Sequence, residues 1–243
     1  MLGALRSLFA KASLGNGSGE IASWARQNGY TWKREKDGDG FAIDGRLDTT
    51  PWRLEWGRPQ RPYIAGRELR LRIALGLPPD LQMLVMTRSL KSALENAASE
   101  HAVQSTRTQV GGTGAEEIRW LALFPKISFG ASKILRSTFA GVSSLAHEGP
   151  AWLEGALGHG LERATSTWLA AQPPFLLMTL RGRLYLRLQL ASADPGDVAA
   201  VVDLFQTAAD AAWRVGRTRG DEPVRWTESN ATAWQSLPPE RPR

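Results

Sequence analysis

The sequence predicts an α+β fold, mainly antiparallel sheet with flanking helices, arranged as two sequential strand-then-helix halves. Three observations predict it. Several short segments alternate apolar and polar residues with period two, the pattern of half-buried strands. Two other segments repeat apolar residues at helical spacing. The order runs strands then helix, then strands then helix again, which suits helices layered on a sheet.

Residues 1–14 place Leu2, Leu5, Leu8 and Phe9 on one face of a short amphipathic helix, followed by a flexible GNGSG joint at 15–19. Arg6 and Lys11 interrupt its apolar run, unlike a secretory signal. Ser18 caps a helix with Ile21, Trp24 and Ala25 inward, ended by Gly29. Segments 30–35, 41–46 and 51–57 read as strands separated by DGDG and DTTP turns. In PWRLEWG, Trp52, Leu54 and Trp56 share one face, Arg53 and Glu55 the other. The clearest strand is 68–75, with Leu69, Leu71, Ile73 and Leu75 opposite Glu68, Arg70 and Arg72. An LPPD turn leads to the apolar run Gln82 to Thr87, read as a strand buried on both faces. Ser89 caps a helix carrying Leu90, Ala93, Leu94, Ala97 and Ala98.

The polar stretch from Glu100 to Gly114 contains a candidate strand at 103–110 and the loop VGGTG. Thr113 and Glu116 match a capping box for a helix at 114–123, although EEIRWLALF also alternates like a strand. No pattern is legible over 126–149. Pro150 opens a helix with Leu153, Leu157, Leu161, Ala164 and Trp168 inward, weakened by Gly155, Gly158 and Gly160. Strands follow at 175–180 and 183–191, turning at Arg181-Gly182. Asp194 and Pro195 open the most regular helix, striped by Val198, Val201, Val202, Phe205, Ala208, Ala209 and Ala212. These elements divide the chain into an N-terminal helix (1–14), a first half (19–105), a second half (113–217) and a partly disordered tail (218–243). GRELRLRIAL echoes GRLYLRLQLA, and PPDLQMLVMTR echoes PPFLLMTLRGR, the trace expected of a degenerate duplication.

Composition narrows the function classes. The 243 residues include no Cys, which removes disulfide scaffolds, thiol catalysis and Cys-based metal centres. No stretch reaches the roughly 20 apolar residues of a spanning helix. The net charge is +6, and 24 of the 30 basic residues are Arg, whose planar fork matches carboxylate and phosphate. A GC-rich genome also favours Arg codons. Ten Trp suit core packing.

The polar faces of two strands carry the main functional signal. One presents Arg70 and Arg72, the other Arg183, Tyr185 and Arg187; Arg53 adds charge, as do Arg58, Arg61 and Arg67. Trp52, Trp56, Tyr63 and Tyr185 are candidate stacking surfaces. If the strands are neighbours, these side chains form a face for an anionic partner, an acidic protein or a nucleic acid. Reversing Arg70 and Arg187 to Glu should then abolish binding without lowering stability. The competing reading is a solvated face whose Glu55 and Glu68 pair across strands with Arg.

Other chemistries find little support. VGGTGAEE lacks the Lys-Ser/Thr of a Walker A loop, and its Glu pair would repel phosphate. His101, His147 and His159 have poor metal-ligand spacing; Glu154 and His159 splay apart on a helix. There is no GxSxG or SxxK nucleophile motif. No catalytic residue, metal or cofactor is therefore assigned.

The segments LEWG, GRELRLR, EEIRWLALFPK and FLLMTLRGRLYLR resemble those of a family of small proteins of Gram-negative, β-proteobacterial bacteria, over most of residues 20–215. The resemblance implies a bacterial cytoplasmic setting and brings no activity, ligand or site residue with it. The leading expectation is a non-enzymatic binding or adaptor protein using an Arg/Trp-rich sheet face. The alternatives are an assembly component docking through residues 1–14, and an enzyme of unrecognised type.

Overall fold

The computed structural model describes residues 19–35, 39–104 and 115–221. The expected helix at 1–14, the VGGTG loop and most of the expected strand at 103–110 lie outside them. Eight strands form one sheet in the order β1-β2-β3-β4-β8-β7-β5-β6, every pair antiparallel. They are β1 (Thr31–Arg34), β2 (Phe41–Leu47), β3 (Thr50–Gly57), β4 (Glu68–Ala74), β5 (Met83–Thr87), β6 (Phe139–Ser143), β7 (Phe175–Leu180) and β8 (Arg183–Gln189). The helices are α1 (19–27), α2 (Arg88–Gln104), α3 (Ala115–Leu123), α4 (Lys133–Thr138), α5 (Glu148–Leu153), α6 (Ala156–Ala164) and α7 (Pro195–Asp221).

The α+β class and the mainly antiparallel sheet are as the sequence predicts. The halves interleave within the sheet: β4 pairs with β8, and β5 lies between β6 and β7. Both pairs of echoing segments are thus neighbours, β4 beside β8 and β5 beside β7. The β7–β8 hairpin turns on Arg181 and Gly182, with φ of 50° and 75°. Positive φ at both positions is what a tight two-residue hairpin needs, and Gly supplies it without strain.

One face of the sheet, here called inner, carries the main core. Leu54, Leu69, Leu71, Leu177, Leu184, Leu186 and Leu188 are buried there beneath the stripe of α7, including Val198, Val201, Phe205 and Ala212. Each such side chain contributes roughly 1.5–3 kcal/mol on burial. Indole N–H groups pin the layers together. Trp152 donates to the Ala208 carbonyl at 3.0 Å, and Trp213 donates to the Leu75 carbonyl at 2.8 Å.

The outer face divides across its width. Over β5, β6 and β7, Leu84, Met86, Val142, Leu176 and Met178 pack with Leu90 and Leu94 of α2 and Trp120 of α3. This is the second face that the unbroken apolar run 82–87 requires. EEIRWLALF is helical, because Trp120 and its neighbours cover that patch. Three differences from the sequence reading are local. The expected helix from Pro150 is two helices, broken at Gly155 with φ 74°. The unread stretch contains α4 and β6. Helix α7 continues to Asp221, past the expected boundary at 217.

Candidate anion-binding site

Period-two alternation sends Arg53, Glu55, Glu68, Arg70, Arg72, Arg183, Tyr185 and Arg187 to the outer face over β3, β4 and β8. The register aligns them in rows. Asp44, Arg53, Arg72 and Tyr185 run across β2, β3, β4 and β8 in successive pairs. Glu55, Arg70 and Arg187 form the next row. Arg53 therefore sits opposite Arg72, and Arg70 opposite Arg187. Like charges directly across a ladder repel. Among the described residues, carboxylates pair with Arg53, Arg70 and Arg187 of these rows and not with Arg72.

One end of the face is a closed network. Arg53 Nε donates to Glu55 Oε1 at 2.7 Å, and its Nη1 donates to Asp44 Oδ1 at 2.8 Å. Arg70 Nε donates to the other Glu55 oxygen at 2.8 Å. Arg187 Nη1 donates to Glu68 Oε1, while the Gln60 amide donates to Glu68 Oε2 at 2.6 Å. Glu68 is 0% exposed, and Arg70 and Arg187 are 15% exposed each. The loop 58–67 folds over this end, its Ala65 amide donating to Gln189 Oε1 at 2.8 Å. Partial burial pushes the Glu55 carboxyl up, but the bonds from Arg53 and Arg70 outweigh it and hold it below its ordinary value. The Glu55 hydrogen bond, reinforced by Asp44, in turn raises Arg53.

The other end is open. Arg72 and Arg183 are exposed and make no ion pair with a described residue. They border a groove of about 430 Å³ shared with Asp44, Arg53 and Ala74. A smaller cleft of about 100 Å³ lies between Arg53, Arg70, Tyr185 and Arg187. Tyr185 is half-buried against the apolar patch under α2 and α3.

The structure thus brings five predicted arginines and Tyr185 onto one face, and excludes two predicted aromatics. Trp52 and Trp56 are 2% and 4% exposed on the inner face. Trp52 packs edge-on to Tyr30, and Trp56 stacks on Phe41 and donates to the Leu190 carbonyl at 2.9 Å. Neither can stack on a ligand, because their own alternation aims them at the core, opposite Arg53. A second correction concerns the charge-reversal expectation. Arg70 and Arg187 neutralise the buried Glu68, so reversing them places carboxylates against it and lowers stability.

The flanking charges are structural as well. Arg67 hydrogen-bonds the Asp39 carboxylate, as does Arg58, and together they hold that carboxyl below its ordinary value. Arg67 also lies over the Trp56 ring at 5.0 Å. Arg61 Nε is 3.7 Å from the buried Glu117, to which the Tyr63 hydroxyl donates at 3.3 Å. Burial, reinforced by Glu117, pushes the Tyr63 hydroxyl up. Sequence reading missed Asp44, Gln60 and Glu117 as partners. Only Asp44 carried a signal, since alternation over 41–46 places it outward.

Among the described residues no group of three or more His, Asp or Glu side chains comes together to hold a metal ion, and no helix is long and apolar enough to cross a membrane. No protein-family model matches the chain, and no curated protein matches it either. The fold is similar to the crystal structure of the mycobacterial trehalose monomycolate transport factor A, TtfA, with a TM-score of 0.45 and 8% identity. That similarity covers 84% of this chain and 96% of TtfA, and is too slight to bear on function.

Proposed function

We propose that this protein is a non-enzymatic binding module that takes an anionic partner on the open end of its arginine face, in the bacterial cytoplasm that the family resemblance implies. One observation carries the reading: Arg72 and Arg183 stand exposed beside a groove and pair with no carboxylate among the described residues, while Arg70 and Arg187 one row away are held by Glu55 and Glu68. A solvated face with cross-strand pairs accounts for Arg53, Arg70 and Arg187. It leaves Arg72, which faces Arg53, with no counter-charge of its own among the described residues. Guanidinium groups donate hydrogen bonds and stay protonated, so they recognise anions and offer little acid–base chemistry.

The test is a salt-resolved titration of the full chain against inorganic pyrophosphate, polyphosphate, poly-glutamate and oligothymidylate. At least one should bind, weaken as salt rises, and lose affinity in Arg72→Glu/Arg183→Glu. Silence from all four at low salt overturns the reading.

A further inference from the structure

We infer that the open end holds one compact dianionic phosphate group, the phosphomonoester or pyrophosphate terminus of a small molecule. This rests on the anion-binding reading above and narrows it to a ligand class. The register makes Arg72 and Arg183 diagonal neighbours, since Arg72 faces Tyr185 and Arg183 faces Ala74. Diagonal positions on one face lie about 7 Å apart, within the reach of two long side chains converging on one centre. Arg53 faces Arg72 from the next strand. Its Nε and one Nη1 hydrogen are taken by Glu55 and Asp44, so its remaining N–H groups are available. Three forked cations on a site this small match the oxygens of a single phosphate, which bidentate guanidinium groups grip best.

Space and surroundings point the same way. Ala74 is the smallest outward side chain of β4, and it leaves the groove of about 430 Å³ beside Arg183. That size suits a small molecule. A longer polyanion running along the row of Arg72 or down β3 meets carboxylates. Toward β2 its next charge meets Asp44, and along β3 it meets Glu55. Toward β7 it meets Leu180 and the apolar patch under α2 and α3. Arg72 and Arg183 are thus bordered by two carboxylates and an apolar patch, with the exposed Arg46 of β2 opposite Pro51 at the far side of the groove.

The experiment is isothermal titration of the full chain at low salt with inorganic pyrophosphate and, separately, with oligothymidylate lacking terminal phosphates. Pyrophosphate should bind and the oligonucleotide should not. Arg72→Gln and Arg183→Gln should each weaken pyrophosphate about tenfold, the loss of a charge-assisted hydrogen bond. Arg26→Gln, on the exposed side of α1, should change nothing. Arginine Nε–Hε resonances of the unaltered protein give a second readout: two or three should shift with pyrophosphate. Arg72-dependent binding of the oligonucleotide alone overturns the compact-phosphate inference and leaves the anion-binding reading standing. Pyrophosphate binding that ignores both substitutions overturns the site. If nothing in the wider panel binds either, both fall.

Discussion

The outer face of the sheet is two surfaces on one scaffold. Over β5, β6 and β7 it carries Leu84, Met86, Val142, Leu176 and Met178 beneath α2 and α3. Over β3, β4 and β8 it carries Arg53, Arg70, Arg72 and Arg187, with Tyr185 at the margin against the patch under α2 and α3. The two share hydrogen-bonded strands, since β8 pairs with β4 on one side and β7 on the other. What separates them is patterning. Strands apolar on both faces must be covered, whereas strands that alternate can leave one face to solvent. A finer contrast lies inside the charged half. Near Glu68 the arginines serve the fold; near Ala74 they serve nothing in the described chain.

This comparison predicts a gradient of effects. The largest belongs to the covered half: Trp120→Ala removes a side chain 1% exposed and should cost about 3–5 kcal/mol in urea unfolding. An effect below 1 kcal/mol would mean that α3 does not seal the patch. Next comes the closed end of the arginine face. Glu68→Ala strips the shared acceptor from Arg187 and the Gln60 amide and should cost roughly 3 kcal/mol. Arg70→Glu with Arg187→Glu should destabilise at least as much, the opposite of a freely solvated pair.

Smaller still is the pH response. Glu55 has a folded-state pKa below its ordinary 4.5, so its contribution is present above that value and is lost as pH falls through the folded value. Stability measured from pH 6 down to 3 should therefore decline, and Glu55→Gln should reduce that decline by at most about 1 kcal/mol. An unchanged slope would mean that the Arg53–Glu55–Arg70 bonds add nothing in solution. The smallest stability effect is expected at the open end. Arg72→Gln with Arg183→Gln should leave the unfolding midpoint within about 0.5 kcal/mol. A larger loss would show these arginines to be structural, erasing the contrast with Arg70 and Arg187.

Much of the fold was legible because it is local. Alternation in 51–57, 68–75 and 183–191 follows from the two-residue repeat of a strand, and the stripe of α7 from the 3.6-residue turn. It failed where pattern length failed. FAGVS at β6 is five residues with Gly at its centre, too short to show a period. EEIRWLALF fits both periods until a partner surface selects one. The site was half legible for the same reason. Which side each residue faces is written in the alternation, and it already set Trp52 and Trp56 against Arg53. Which arginines are free is a matter of who lies opposite them.

The sequence by itself therefore determined the antiparallel α+β character, the outward arginines and the inward tryptophans, because nearest-neighbour geometry sets them. Only the tertiary structure decided that β4 and β8 are adjacent, that Glu68 is buried under the loop 58–67, and that Asp44 and Glu55 hold Arg53 and Arg70 while Arg72 and Arg183 pair with no carboxylate among the described residues. Those outcomes depend on the register between strands more than a hundred residues apart in the chain, 119 in the Arg187–Glu68 pair, and no local period encodes it.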